Sequence, residues 1–186
     1  MPTRSTCERL SRRGAVASRA VAVFPIRVYP DPVLRMKAAP VERFDDDLAR
    51  LVDDMVETMY AAPGVGLAAP QIGVSLRVVV FDAGEGPRHL INPVMESTSG
   101  EHEFEEGCLS VPGKWWPITR PAFARARGLD IRGEEVVHEG DELVGRVLQH
   151  ELDHVDGIVL LEHLGRRERK QALRELREEA AFDRST

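Results

Sequence analysis

The chain is expected to fold as an α+β domain. Antiparallel β-strands should pack around a central helix bearing His-Glu-x-x-His, with an N-terminal amphipathic helix and a C-terminal helix. Three observations lead there. Three stretches place apolar residues at helical spacing. Several short apolar runs are bounded by Gly, Pro and Asn. The two kinds of signal do not alternate as βαβ units would.

Taken in order, the first 22 residues stand apart. "MPTRSTCERLSRRGAVASRAVA" carries Arg4, Arg9, Arg12, Arg13 and Arg19 against a single acid, Glu8. It reads as a disordered extension or as an organellar targeting segment, and it lacks the apolar core of a secretory signal. In "DDDLARLVDDMVETMY" (45–60), Leu48, Leu51, Val52, Met55, Val56 and Met59 share one helical face. Asp45 to Asp47 suit the positive end of the helix dipole, and Pro63-Gly64 stops the helix. A Gly- and Ala-rich loop, "PGVGLAAPQIG" (63–73), follows. "LRVVVFD" (76–82) reads as a buried strand and "RHLINP" (88–93) as its neighbour. "EHEFEEGCLSVPG" reads as an acidic stretch ending in turn residues. Residues 122–138 read as two strands hinged at Arg132-Gly133. "DELVGRVLQHELDHVDG" is the second helix, with Leu143, Val147, His150 and His154 in one stripe and Gly157 placed to end it. "GRRERKQALRELREEAAF" is a third helix, charged on most faces, with Leu173, Leu176 and Ala180 on one side. The expected division is an extension at 1–22, a single domain at 23–165 and the C-terminal helix at 166–186.

Composition narrows the classes. With 186 residues, 42% hydrophobic and 30% charged, the chain resembles an ordinary one-domain globular protein. The net charge of −6 is spread in both signs, so DNA binding is not expected. No apolar run approaches the ~20 residues of a membrane span. Two cysteines, Cys7 and Cys108, do not make a disulfide framework.

Chemistry is concentrated in "QHELDH" (149–154). On a helix, His150 and His154 lie one turn apart and can grip one cation, with Glu151 beside it as a general base. A catalytic site of this kind takes three protein ligands. Leu160 stands where a longer zinc motif would need its last His. Glu175 sits in a solvated charge pattern. His163 is available but lacks motif context. Cys108, bracketed by Gly107 and Pro112-Gly113, offers a thiolate suited to transition metals. Spacing alone favours Cys108 only modestly, since a lone Cys is by default a small buried hydrophobe.

Three stretches in register, "GVGLAAPQIG" (64–73), "EGCLSVPG" (106–113) and "QHELDH", resemble the signature motifs of peptide deformylases, as "FPIRVYPDPVLR" resembles the family's opening. The likeness covers residues 25 to 162. It implies removal of the formyl group from N-formylmethionyl nascent peptides, in the cytoplasm, or in an organelle if the Arg-rich start is a transit peptide. It implies one divalent ion, Fe2+ first, with Zn2+, Ni2+ or Co2+ as alternatives, held by Cys108, His150 and His154. Glu151 would shuttle the proton, while the Gln71 amide and the Leu109 backbone N–H would meet the formyl oxygen. Val65 and Gly66 would pair with the peptide backbone, and Leu143 and Val147 would wall the methionine pocket. Glu106, Arg120 and Asp153 match positions of an acid, an arginine and an acid, and Arg120 would tie the EGCLS turn to the HExxH helix. Trp115 and Trp116 are expected at the mouth, a departure that leaves substrate preference open. "GRRERK" would touch ribosomal RNA transiently, against the plainer reading of a solvated face.

Overall fold

The computed structural model describes residues 21–183. The Arg-rich extension, up to residue 20, and the side chain of Ala180 lie outside the described residues. The fold is α+β: helices α1 (Asp46–Ala61), α2 (Glu142–Val155) and α3 (Arg166–Asp183), with seven strands between α1 and α2. The strands are β1 (Gly66–Ala68), β2 (Val78–Phe81), β3 (Arg88–Ser99), β4 (His102–Cys108), β5 (Val111–Arg120), β6 (Phe123–Leu129) and β7 (Glu135–Gly140). A five-stranded antiparallel sheet runs β1-β2-β3-β6-β7, and β4 and β5 form a separate hairpin.

Burial explains the layers. All four residues of β2 are buried, because the strand is covered on both faces. Val78 and Val80 join Leu48, Val52, Met55 and Met59 of α1 in one core. Val79 and Phe81 join Leu148, Leu152 and Val155 of α2 in a second core on the other face. Each helix therefore sits by its apolar stripe, and α2 touches β1, β2, β3, β6 and β7. Asp45 caps α1, its carboxylate accepting from Asp47 N–H at 3.1 Å and Leu48 N–H at 3.2 Å. At the far end of α2, Gly157 adopts φ 77°, a left-handed turn that ends the helix with little strain.

The hairpin corrects the sequence reading. The acidic stretch and the "KWWPITR" segment are paired strands, and the strand expected at 88–93 runs on to Ser99. Val111 and Ile118 of the hairpin pack with Leu34, Leu160, Leu161, Leu164 and Ala172 in a third cluster, with Leu173 and Leu176 of α3 alongside. That cluster fastens the hairpin, and with it Cys108, beside α2.

Candidate active site

On α2, His150 and His154 project from one face, and Arg146 precedes them by another turn. Cys108 closes β4. It pairs with Val111 across an irregularity after Gly107, so the chain turns through Leu109 and Ser110 and aims the thiol at the helix. Its Sγ lies 3.2 Å from Nε2 of His154 and accepts from Ser110 N–H at 3.4 Å. The ligand-type atoms of Cys108, His150 and His154 all lie within 4.8 Å of one another, and no other such group occurs among the described residues. Donors bound tetrahedrally to a zinc-like ion sit about 3.5 Å apart, so this set needs little adjustment to surround one.

The second ring nitrogen of His150 settles its orientation. Nδ1 of His150 donates to Oε1 of Glu106 at 2.7 Å, which leaves Nε2 as the free donor atom. Glu106 is itself clamped. Arg120 reaches it through Nη2 at 2.8 Å and Nε at 3.0 Å, and Arg146 through Nη1 at 2.6 Å. Arg120 also donates to Asp153 at 2.8 Å. The expected tie between the EGCLS turn and the HExxH helix is thus present.

Burial works against an ionised Glu106, but His150 and Arg120 outweigh it and hold the carboxyl far below its usual range. Asp153 is lowered the same way, with His163 and Arg120 overcoming burial. At Cys108, burial again opposes the charge, and His154 and His150 bring the thiol well below its ordinary value. At His150, burial is overcome by the Cys108 sulfur and Glu106, which raise the imidazole. Glu151 differs. Its burial dominates and pushes the carboxyl up to about 7 despite the two imidazoles. A proton-transfer group poised near neutrality suits acid–base work.

A metal fits these residues. The pocket field that favours a thiolate beside an imidazolium also favours a cation among them. Oε2 of Glu151 and Nδ1 of His154 are buried without a hydrogen-bond partner, a cost usually tolerated only where chemistry needs it. One thiol and two imidazoles form the donor set of a borderline divalent transition metal.

The group opens on a mostly apolar cleft of about 440 Å3. Val65, Gly66, Gln71, Leu109, Leu143 and Val147 all line it, beside Cys108, His150 and Glu151. Gly66 is there for clearance: a Cβ would lie 2.3 Å from Oε1 of Glu151. Gln71 is buried, its Oε1 accepting from Ala68 N–H at 2.8 Å. Its Nε2 points toward the Cys108 turn, 3.3 Å from Ser110 Oγ and 3.8 Å from the sulfur. Val65 is exposed just before β1, an edge strand of the sheet.

Two expectations need amendment. Trp115 does line the cleft mouth, but Trp116 turns to the other face of β5 and packs in the α3 cluster. Arg146 is missing from the sequence reading, yet it lines the cleft and clamps Glu106. Its signal was available: position 146 falls one turn before His150, in an otherwise buried stripe.

Comparison with known proteins agrees. A profile of the polypeptide deformylase family matches residues 23–170. The peptide deformylase of Acidothermus cellulolyticus is 49% identical over 158 residues, 85% of this chain and 88% of that one. Peptide deformylase 1 of Clostridium acetobutylicum is 47% identical over 148 residues, 80% of this chain and 99% of its own. A crystal structure of a peptide deformylase from Legionella pneumophila aligns with TM-score 0.82 and 42% identity, covering 89% of this chain and 99% of that one. One from Synechococcus elongatus in complex with actinonin aligns with TM-score 0.77 and 36% identity, covering 82% and 86%. With its three motifs gathered around one cleft and relatives matching across most of its length, the chain belongs to the polypeptide deformylase family.

Proposed function

We propose that this chain hydrolyses the N-formyl group of formylmethionyl nascent peptides, with Cys108, His150 and His154 holding one divalent ion. Fe2+ is the ion we favour, ahead of Zn2+, Ni2+ or Co2+. The observation that carries the reading is the convergence of one sulfur and two imidazoles within 4.8 Å, beside Glu151, on an apolar cleft.

Held by Cys108, His150 and His154, a divalent ion would supply the Lewis acidity that acidifies water and polarises a carbonyl. Glu151, buried and near neutral in its proton affinity, takes the proton of the attacking water. The water oxygen joins the formyl carbon, the C–N bond breaks, formate leaves, and Glu151 returns the proton to the freed amine. Charge grows on the formyl oxygen during attack. The Gln71 amide, braced at its oxygen by Ala68 N–H, and the Leu109 N–H are the donors we assign to it. Val65 and Gly66, where the chain enters the edge strand β1, offer their backbone to the peptide as to an added strand, and Leu143 and Val147 wall the methionine side chain.

Formate release from formyl-Met-Ala-Ser, with the metal kept reduced, tests this. Loss of release in Glu151→Ala supports the reading. Cleavage of an internal peptide bond would indicate an endopeptidase, and silence a metal- or nascent-chain-binding protein. None of the chain's described helices is long and apolar enough to cross a membrane; we place it in the cytoplasm. We also assign a transient ribosome contact to α3, where Arg166, Arg167, Arg169, Lys170, Arg174 and Arg177 line one groove. Salt-sensitive co-sedimentation with ribosomes, lost on neutralising these six, would support it.

A further inference from the structure

His163 plays no part in the reaction as assigned above, yet its side chain is not idle. It follows a short turn at Leu160–Glu162, its backbone N–H donating to Leu160 O at 3.1 Å. Leu160, Leu161 and Leu164 are buried around it and hold the turn in place. Its Nε2 lies 2.7 Å from Oδ2 of Asp153, the same oxygen that accepts from Arg120 at 2.8 Å. Arg120 continues to Glu106, and Glu106 to Nδ1 of His150. The side chains grow more buried along this line, from 29% exposed at His163 and 21% at Asp153 to 5% at Arg120 and 6% at Glu106. The outer end opens on a cavity of about 760 Å3 on the far side of α2 from the cleft, bordered by Lys37, Arg77 and Asp156.

We infer that His163 is a positioning residue for the metal site, acting on His150 through Asp153, Arg120 and Glu106. This rests on Cys108, His150 and His154 being the ligands. An isolated ion pair at this exposure would contribute little. Here the pair instead gives Asp153, the more exposed of the line's two carboxylates, a second donor, while the inner members are buried. With His163 in place, Asp153 Oδ2 is fixed by two donors, Arg120 keeps both its carboxylates, and the ring plane of His150 is set by a stationary Glu106. Without it, Asp153 can turn, and the slack passes inward. Partners that orient a ligand imidazole commonly govern metal affinity.

The test uses the full chain, stripped of metal and titrated with Co2+, whose visible bands report ligand geometry and whose thiolate charge-transfer band reports Cys108. His163→Ala is expected to weaken Co2+ binding by about three- to tenfold, below the ~10–100-fold of a direct partner, and to shift the visible bands. kcat should fall with KM unchanged. His163→Gln, whose amide can donate to Asp153, should restore affinity to within about twofold of the parent. Asp153→Ala removes the acceptor and severs the chain one link further in, and adding His163→Ala to it should weaken binding no further. Parent-like affinity and spectrum in His163→Ala would overturn the inference, as would equal defects in the Ala and Gln variants or full additivity with Asp153→Ala. A parent chain with no thiolate-to-cobalt band would instead remove the ligand set on which the inference stands.

Discussion

Gly66→Ala is the sharpest probe of how this site is built. A methyl group at residue 66 would sit 2.3 Å from Oε1 and 2.8 Å from Cδ of Glu151, and 2.6 Å from Cγ2 of Val147. Carbon atoms settle about 3.5–4.0 Å apart, so something must move by about 1 Å. β1 has little freedom, since Gly66, Leu67 and Ala68 are paired with Phe81, Val80 and Val79. The Glu151 carboxylate is the end of a flexible side chain and yields first. Overpacking of this kind costs about 1–3 kcal/mol, and for a chain of this size that is roughly 2–12 °C in Tm. The rate should suffer far more. Displacing a reacting group by about 1 Å costs on the order of 10²-fold, so kcat/KM for formyl-Met-Ala-Ser should drop by about that factor while the chain stays folded. Steady-state formate release and a thermal melt measure the two effects separately. Adding Val147→Ala relieves one contact and should recover stability, but not rate, because the carboxylate contact persists. A Gly66→Ala variant with kcat/KM within about threefold of the parent would refute the placement of Glu151 as the proton shuttle beside β1.

Three further outcomes are expected. Glu106→Gln leaves the buried Arg146 without a carboxylate and Arg120 with Asp153 alone, a loss of about 3–5 kcal/mol that should lower Tm by roughly 6–20 °C and weaken metal binding by about 10–100-fold. An unchanged melt would show that the clamp does not matter. Burial sets Glu151 at about 7, and a cation among its neighbours can only lower that, so kcat/KM should rise with pH along a limb centred at or below about 7; a limb centred above 8 would contradict Glu151 as base. His89 and His138 are both lowered, by burial first, so protonation is disfavoured in the folded chain. The unfolded chain then binds more protons just below the ordinary value of about 6.5, and stability should be full above it and fall as pH drops through it. A doubly substituted His89→Gln, His138→Gln chain should lose less stability than the parent between about pH 7 and pH 5.5, and an identical slope in both would exclude this origin.

The helices were legible because each owes its place to a single stripe. α1 is written in Leu48, Val52, Met55 and Met59, and this is the stripe that meets β1 and β2. β2 was legible for the opposite reason: four consecutive buried apolar residues need cover on both faces, which α1 and α2 supply. The hairpin of β4 and β5 was not. Its residues 102–105 are all exposed, so no alternation marks them, and Pro112, Gly113 and Pro117 read as turns. It folds as strands because its two segments pair with each other and rest on α3, a long-range arrangement with no local trace.

The candidate site divides along the same line. Cys108, Glu151, His150 and His154 are visible as residue types whose chemistry is intrinsic, and spacing puts three of them on one helix. What orients them is invisible in that way. Glu106 collects Arg120, Arg146 and His150, contributed by β5 and by two successive turns of α2, onto one carboxylate. In sequence, Arg146 is marked only by its place one turn before His150, with nothing local to say what it pairs with. Its burial follows only because β4 delivers an acid opposite it, while its Nη2 finds His102 O at 2.8 Å and its Nη1 finds Ile118 O at 3.1 Å. A charge is affordable there only as part of the set, since either guanidinium alone would leave Glu106 with less than its burial requires. Orientation at this site is therefore a property of the carboxylate shared between strand and helix, and mutations that spare every ligand but loosen Glu106 should damage metal binding more than mutations that reshape the cleft wall.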